Sequence, residues 1–540
     1  MSPKKKSLKS LGMLLLASSL VLGACSQESA LKIDTDAANS SKKAEKTANG
    51  KSVQMYDSKR PKTEDYSKVN DHQAKYVFLF IGDGMGVTPV TAAENYLGYA
   101  KTNKGEVYPT RMNFTEMPVI GLKSQYDCHS FIPDSASTAT AFASGIKTQT
   151  NTVGLSGDFE KSSDSVAEKA KRAGKSVGIL TTVTLNHATP AAFYANEESR
   201  SSYYDIGLQM ADSNFDFFAG GSLKDRTGKE NDQKDLYDVM KEKGYHVVET
   251  KAEAEKVDAK AKKTYIVSEE LQDDPEGFFM MAESGKIDWA EHANDGATTV
   301  NEVIGFQKSI QTAMDFYNEH PDETLIVVTA DHATGGFTIG NESTGYETYF
   351  DQLTKQKGSQ IEFDKIVTKA LEENPDMTFE AFAPKIEDFF GLKLDKNAPS
   401  EKISVEQEED YLKKQAENRS LCSQEEYKAL EEAFEESKKA PEQQNTNYGE
   451  YIPVSITATR ILDKKAGLAW STTDHSGEKV PVYAMGSGAI MFDGEYDDTD
   501  VAVRLGEAMG FNGKDSKPKE QVEKKAKKPS GVGLEAPKEK

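Results

Sequence analysis

The sequence predicts an α/β protein: a three-layer α/β/α sandwich with a large, mostly parallel central sheet and an inserted helical subdomain. The first observation behind this prediction is a stretch of six apolar residues, Tyr76 to Ile81, that runs straight into Asp83 between glycines. A short apolar run that ends at glycine is typical of a strand buried on both faces. The second observation is that such runs alternate with helical stretches from Lys75 to about Gly340, which requires crossover connections between parallel strands.

Four later apolar runs predict further inner strands, and two helical patterns lie between them. The strands are expected at 177–182, 215–219, 278–282 and 325–330, and the helices at 163–173 and 297–318. Open parallel sheets bind ligands beyond the carboxyl ends of their strands, which is where Asp83 would lie. When that stretch is considered alone, an Asp-Gly turn without any function explains Asp83 equally well.

The alternation stops near Gly340. Residues 341–449 carry many Glu and Lys side chains and few long apolar runs, so we expect an inserted, mostly helical subdomain that can lie over the mouth of a site. Strand-like sequence is expected to return between Tyr451 and Phe492. Residues 75–510 would then form one large domain that includes the insertion.

The two ends of the chain differ in composition from this domain. Residues 1–24 combine a basic start with an apolar run too short to span a bilayer, and they predict a lipoprotein signal peptide with Cys25 as the acylated first residue. A buried Cys25 in an uncleaved segment is the alternative. Residues 25–74 have the composition of a polar linker, and residues 511–540 that of a charged, disordered tail. We therefore expect the protein to be lipid-anchored at the extracytoplasmic face of the cell membrane.

The overall charge limits the possible partners. A formal net charge of −22 argues against nucleic-acid binding. It is compatible with an enzyme for small molecules whose metal ions supply positive charge locally. Cys128 and Cys422 would remain in an exported chain and could form a disulfide, which the sequence leaves open.

A serine at a predicted helix start is the first candidate for chemistry. Ser135, in Asp134-Ser135-Ala136, would lie where unpaired backbone N–H groups and the helix dipole favour an anion. The chain has neither a Gly-x-Ser-x-Gly motif around this serine nor a Walker loop. Taken alone, a helix start of this kind also fits a simple cap.

Acidic residues and histidines near strand and helix ends are the candidate metal ligands. Asp288 and His292 are spaced to share one face of a helix, Asp331 and His332 follow a strong apolar run, and His475 precedes another strand. Asp and His suit a catalytic zinc ion that keeps an open position. Each cluster alone also describes an ion-paired surface histidine. Together with Asp83 they supply six ligands, enough for two three-ligand sites.

In order and approximate spacing, these residues resemble those of alkaline phosphatases, in the lipoprotein form found in bacteria. The resemblance covers Lys75 to about Gly340 and residues 449–510. The matching motifs are Gly-Asp-Gly-Met-Gly around Asp83, Asp134-Ser135-Ala136, Thr189-Pro190-Ala191-Ala192, Arg200, Glu283, Asp288, His292, Asp331-His332 and His475. The resemblance implies an alkaline phosphatase-like fold and metal-dependent hydrolysis of phosphate monoesters with two Zn²⁺ and one Mg²⁺. It leaves a homodimer open.

The resemblance also implies a role for each matched residue. Ser135 would be the nucleophile that becomes phosphoserine, and Arg200 would bind two phosphate oxygens. One zinc ion, which activates the attacking water, would be held by Asp288, His292 and His475. The other zinc ion, which stabilises the Ser135 alkoxide, would be held by Asp83, Asp331 and His332. Magnesium would be held by Asp83, Thr189 and Glu283. The residues expected behind these ligands are His187, Asp134 and Trp289.

Two positions depart from the family pattern, and two other functions stay open. His187 stands where the best-known bacterial enzymes carry a carboxylate, and Trp289 where they carry Lys, which leaves the identity of the third metal open. A phosphodiesterase or phosphomutase of the same superfamily is one alternative, against which Arg200 and Glu283 argue. A lipoprotein that binds metal or solute without turnover is the other, and it would have little use for Ser135.

Overall fold

The computed structural model describes residues 73–102, 110–249, 253, 277–400, 418–445 and 448–511, together with residues 45–46 and 52–53. The predicted signal peptide, Cys25, most of the linker at 25–74 and nearly all of the tail at 511–540 lie outside these residues. Among the helices that the structure describes, none is both long and apolar enough to cross a membrane.

An eight-stranded sheet forms the centre of the described chain. The strands in chain order are β1 (Glu45–Lys46), β2 (Ser52–Val53), β3 (Tyr76–Gly82), β4 (Val119–Lys123), β5 (Ser176–Thr181), β6 (Phe217–Ala219), β7 (Phe278–Ser284), β8 (Thr324–Ala330), β9 (Ala333–Thr334), β10 (Thr338–Ile339), β11 (Leu468–Ala469), β12 (His475–Ser476), β13 (Val480–Gly486) and β14 (Gly494–Tyr496). The large sheet has the order β14-β4-β13-β8-β3-β7-β5-β6. Within it, β13 alone runs antiparallel to its neighbours β4 and β8. The predicted mostly parallel sheet is confirmed.

The described helices include those that cover both faces of this sheet and those of the insertion. They are α1 (Val87–Thr102), α2 (Ser135–Ser144), α3 (Val166–Arg172), α4 (Ala188–Ala191), α5 (Tyr203–Asp212), α6 (Leu236–Glu242), α7 (Lys286–His292), α8 (Gly296–Glu319), α9 (Gln360–Glu373), α10 (Phe379–Phe390), α11 (Gln424–Ser437), α12 (Pro453–Ala466) and α13 (Thr499–Ala508). In β3, Val77 and Leu79 join one apolar cluster, whereas Phe78 and Phe80 join another. Successive strand residues point to opposite faces, so a sheet with two covered faces needs the continuous apolar run seen in the sequence.

The segment at 341–449, expected to be mostly helical, contains α9, α10 and α11. These helices enclose an apolar cluster of their own, which includes Phe363, Phe382 and Phe434. The placement of this segment over the mouth of the site stays a prediction. Cys128 lies at the surface and Cys422 is buried, and no disulfide joins these two residues.

The prediction of strand-like sequence from Tyr451 onward is wrong for its first part, because residues 453–466 form α12. Proline occupies the first turn of this helix, and Gly467 ends it with a φ of 87°. Val454, Ala458 and Leu462 recur at a spacing of four and complete the apolar cluster of the insertion. Tertiary packing of this face outweighs the preference of its β-branched residues for strands.

Asp463 connects α12 to the rest of the domain. Its Oδ2 accepts hydrogen bonds from the backbone N–H of Gly296 at 2.9 Å and from Nε1 of Trp470 at 2.7 Å. Its Oδ1 accepts none from the residues described. Burial, with the charge of Asp295 adding to it, holds the pKa of Asp463 well above its ordinary value.

We expect Asp463→Asn to change how stability depends on pH. Because the pKa of Asp463 is raised in the folded state, its carboxyl group stabilises the fold fully below about pH 4, and that contribution is lost as the pH rises through the folded-state pKa. Relative to the variant, the unaltered protein should lose free energy of unfolding as the pH rises. Urea denaturation of both proteins across a pH series measures this difference. A difference that does not vary with pH would contradict the expectation.

Candidate active site

The candidate site lies at the carboxyl ends of three adjacent strands. Asp83 follows β3, Glu283 is the last residue but one of β7, and Asp331 follows β8. Since β7, β3 and β8 are neighbours and run parallel, the three carboxylates meet at the same edge of the sheet. All three side chains are fully buried.

Ser135 is the first residue of α2, and its hydroxyl group faces a histidine. Asp134, just before the helix, takes the capping role, since its side chain accepts a hydrogen bond from the backbone N–H of Ser137 at 3.0 Å. This leaves the Ser135 hydroxyl available for other contacts. Its Oγ lies 3.0 Å from Nε2 of His332.

Asp288, His292 and His475 form the first cluster of possible metal ligands. Nε2 of His292 lies 3.3 Å from Oδ2 of Asp288 and 3.2 Å from Nε2 of His475. Nδ1 of each histidine contacts a backbone carbonyl oxygen, that of Thr473 at 2.5 Å for His292 and that of Pro133 at 2.7 Å for His475. A carbonyl oxygen can only accept, so both Nδ1 atoms donate, and both Nε2 atoms face the cluster.

Asp83, Asp331 and His332 form the second group. Nε2 of His332 lies 3.3 Å from Oδ1 of Asp83 and 3.3 Å from Oδ2 of Asp331. The other oxygen of Asp331 accepts hydrogen bonds from the backbone N–H groups of Gly84 and His332. Asp288 also reaches this group, because one possible ligand atom of each of Asp83, Asp288 and His332 lies within 4.8 Å of the others.

A third cluster contains Asp83, His187 and Glu283, each with one possible ligand atom within 4.8 Å of the others. Glu283 accepts a hydrogen bond at Oε2 from Thr181 at 2.5 Å. Its Oε1, Nδ1 of His187 and Oγ1 of Thr189 are buried without a hydrogen-bond partner in the described part of the chain. Buried polar atoms without partners are costly, and an ion or a water molecule bound among them would offset this cost.

Arg200 contacts Asp134, which precedes Ser135 in the chain, and His187. Nη1 of Arg200 donates to Oδ2 of Asp134 at 2.9 Å, and Nη2 lies 3.3 Å from Nε2 of His187. Burial, reinforced by the charge of Arg200, lowers the pKa of His187 to about 4, so this histidine is neutral and can accept from the guanidinium group. Trp289 packs edge-on against His187 and stays 40% exposed at the border of the site.

The electrostatics of the site favour cations. Burial, together with repulsion from neighbouring carboxylates, holds the pKa of Asp83 well above its ordinary value and raises that of Glu283 to about 7. Asp288 differs, because the charge and the hydrogen bond of His292 outweigh the effect of its burial and lower its pKa. A bound cation would relieve the repulsion between these carboxylates.

Three residues of the site were not predicted from the sequence: Thr334, Lys123 and Glu291. The Thr334 hydroxyl contacts both Asp288 and His332. The Lys123 ammonium is fully buried and donates to the carbonyl oxygen of Asp331 at 2.9 Å. Alternation along β4, where Val119 and Gly121 share the face of Lys123, is the signal that could have revealed its burial.

Glu291 is fully buried beside the turn at Gly84, and its carboxylate receives no hydrogen bond from the residues described. A Cβ atom at Gly84 would lie 2.6 Å from Oε2 of Glu291, and Gly84 has a φ of +76°. The turn that presents Asp83 therefore requires glycine for both its conformation and its space. Because Glu291 lies between Asp288 and His292 in α7, the helical spacing alone would have placed it beside the metal ligands.

Comparison with known proteins agrees with this geometry. The sequence model of the alkaline phosphatase family matches residues 74–269 and 263–511. Alkaline phosphatase 3 of Bacillus subtilis is 30% identical over 482 residues, which cover 83% of this chain and 92% of that protein. The crystal structure of a cold-active alkaline phosphatase from a psychrophilic Shewanella species has a TM-score of 0.62 at 24% identity, and the match covers 80% of this chain and 99% of that chain.

A second solved structure also matches this chain. It is a variant of the alkaline phosphatase from the Antarctic bacterium TAB5, in which glutamate replaces a histidine and magnesium is bound in the M3 site. Its TM-score is 0.51 at 22% identity, and the match covers 82% of this chain and 99% of that chain.

The family match spans nearly all of the described domain, and within that match Ser135 lies 3.0 Å from His332, a member of one cluster of possible metal ligands. The chain therefore belongs to the alkaline phosphatase family and is a phosphatase, a metal-dependent hydrolase of phosphate monoesters.

Proposed function

We propose that this phosphatase works through a phosphoserine at Ser135, with two zinc ions and one magnesium ion, and releases inorganic phosphate outside the cell. The observation that carries the proposal is the position of the Ser135 hydroxyl. It lies at the first turn of α2, 3.0 Å from Nε2 of His332, which belongs to one of the clusters of possible metal ligands.

The residues present fit the three ions. Asp83 has two buried carboxylate oxygens without a hydrogen bond among the described residues, and Glu283 and Asp331 have one each. Zinc would be held by Asp288, His292 and His475 at one site and by Asp83, Asp331 and His332 at the other. Magnesium would be held by Asp83, Thr189 and Glu283, with His187 beside it. When bound, the two zinc ions would supply the positive charge that stabilises the serine alkoxide and the departing ester oxygen.

The remaining steps involve residues of the chain. The Ser135 hydroxyl loses its proton as its Oγ forms a bond to phosphorus, while the bond from phosphorus to the ester oxygen breaks and that oxygen takes up a proton and leaves as the alcohol. Water then forms a bond to phosphorus while the bond to Ser135 Oγ breaks, which releases inorganic phosphate and restores the serine. The backbone N–H groups at the start of α2 favour the anion during both steps.

Arg200 would hold the phosphate group in this reaction. Its contacts with Asp134 and His187 use one N–H of each terminal nitrogen, so each nitrogen has a second N–H for a phosphate oxygen. A monoester has one more anionic oxygen than a diester, so this arrangement favours monoesters.

Rapid hydrolysis of p-nitrophenyl phosphate, slow hydrolysis of the bis(p-nitrophenyl) diester and loss of turnover with a chelator would support the proposal. Preference for the diester would favour the phosphodiesterase, and zinc binding without turnover would favour a binding protein.

Replacing Ser135 with Ala should lower the turnover of p-nitrophenyl phosphate by roughly 10³-fold or more, because losses of that size follow removal of a nucleophile. Ser144→Ala is the matched control, since Ser144 is buried at the far end of the same helix and its Oγ has no hydrogen-bond partner among the described residues. Rapid quenching with radiolabelled substrate should trap phosphate on the unaltered protein and on the Ser144 variant, but not on the Ser135 variant. Near-normal turnover of the Ser135 variant would refute the assignment.

Replacing His187 with Asp should tighten magnesium binding, by about tenfold or more, because a carboxylate adds an oxygen ligand and a negative charge where the neutral imidazole adds neither. The TAB5 variant with glutamate in place of histidine and magnesium in its M3 site supports this expectation. His187→Asn, which supplies oxygen without charge, is the control. A magnesium titration of activity at fixed zinc gives the half-saturating concentrations, and equal values for all three proteins would show that residue 187 does not tune the site.

We also propose that the protein is lipidated at Cys25 and held at the outer face of the cell membrane. The support is Leu22-Gly23-Ala24-Cys25, which follows a short apolar run. Cys25→Ala should move the protein out of the membrane fraction, as judged by immunoblotting after cell fractionation, with Cys128→Ala as the control. If the share of the Cys25 variant in the membrane fraction equals that of the unaltered protein, the lipidation proposal is wrong.

A further inference from the structure

A hydroxyl group outside the ligand set lies between the two proposed zinc sites. Thr334 is 2% exposed, and its Oγ1 lies 2.7 Å from Oδ1 of Asp288 and 3.2 Å from Nδ1 of His332. Asp288 belongs to the first site and His332 to the second. One side chain therefore contacts a proposed ligand of each site.

The chemistry of the three groups fixes the direction of both hydrogen bonds. An ionised carboxylate can only accept, so the Thr334 hydroxyl donates its proton to Asp288. The Thr334 oxygen then accepts from Nδ1–H of His332. With its proton on Nδ1, His332 presents the lone pair of Nε2, and this atom lies 3.0 Å from Oγ of Ser135 and 3.3 Å from Oδ1 of Asp83.

His332 differs in this respect from the other two histidines of the site. Nδ1 of His292 and Nδ1 of His475 both contact backbone carbonyl oxygens. A backbone partner holds a ring without depending on any side chain. At His332 a side-chain hydroxyl performs this function, so a single substitution can remove it.

The local fold holds Thr334 in place. It lies in β9, which pairs antiparallel with β12, and the register sets Thr334 directly opposite His475. The strand pair thus connects Thr334 to the first site through the backbone as well as through Asp288. Movement of either site would change the geometry of the hydroxyl group.

We propose that Thr334 is a positioning residue that couples the two zinc sites. Its hydroxyl group fixes the tautomer of His332 at one site and the position of the Oδ1 atom of Asp288 at the other. This inference rests on the proposed two-zinc function. It assigns to Thr334 no contact with the substrate. Its consequence is that loss of the hydroxyl group should weaken zinc binding at both sites together.

The test compares Thr334→Val, which keeps the shape but loses the hydroxyl group, with Thr334→Ser, which keeps the hydroxyl group. Thr299→Val is the matched control, because Thr299 is fully buried and its Oγ1 has no hydrogen-bond partner within the described residues. Zinc affinity is measured on metal-stripped protein by competition with a chromogenic chelator, without any substrate. Nitrogen-15 NMR of the histidine rings in the same samples reports the tautomer of His332.

We expect Thr334→Val to weaken zinc binding about 10- to 100-fold at both sites, the range seen when a group that orients a metal ligand is lost. Thr334→Ser should stay within about threefold of the unaltered protein, and only the Val variant should lose the Nδ1–H signature of His332. Unchanged affinity in the Val variant would overturn the proposal. Equal weakening in the Ser variant would also overturn it, since packing rather than the hydroxyl would then matter.

Two features keep this test decisive. If Thr334→Val does not fold, Thr334→Ala takes its place, because it lacks the hydroxyl group and cannot overfill the site. The readout also separates this proposal from the proposed function. Zinc affinity that depends on Thr334, in a protein whose Ser135→Ala variant keeps its turnover, would contradict the phosphoserine mechanism and leave the coupling intact.

Discussion

The carboxylates of Asp83, Glu283 and Asp331 lie side by side where adjacent parallel strands end, and their mutual repulsion in a buried place governs the rest of the site. Burial and repulsion raise the pKa of each one. Two neighbouring hydrogen-bond donors offset part of this repulsion: Lys123 donates to the backbone carbonyl oxygen of Asp331, and Thr181 donates to Glu283. The fold thus concentrates negative charge at a point where the hydrolysis of an anionic ester requires positive charge. Metal ions meet both needs, which is why a single arrangement can bind cations and stabilise a phosphate group.

The sheet could be predicted from the sequence because its inner strands are buried on both faces. Every residue in a run such as Tyr76 to Ile81 is apolar, which is typical of a strand buried on both faces, and glycine marks its end. The helix at 453–466 could not be predicted in the same way. Its residues include several β-branched ones, and its apolar face gains its stability from a cluster formed by α9, α10 and α11, which local sequence does not show. Pro453 and Gly467 were the local signals of its ends.

The proposed ligands share a location that the sequence reveals, since Asp83 and Asp331 follow apolar runs and Asp288 and His292 share a helix face. The groups that orient them have no such signature. Thr334 is a small polar residue in a two-residue strand, and its importance arises from Asp288, which is distant in the chain. Lys123 likewise reaches Asp331 only because β4 lies beside β13, which in turn lies beside β8. Contacts between remote segments are the part of a site that one sequence does not display.

The antiparallel strand β13 gives the site an order of assembly. It lies between β4 and β8 although the chain reaches it only after the whole helical insertion, and His475 lies in β12, the strand before it in the chain. A nascent chain that has emerged as far as β9 carries every acidic ligand and His332, but neither the strand that joins the two parts of the sheet nor His475. Closing so long a loop is slow compared with local pairing. Assembly of the complete set of possible metal ligands is thereby postponed until synthesis of the domain is nearly finished, so a prematurely terminated chain lacks a complete metal site.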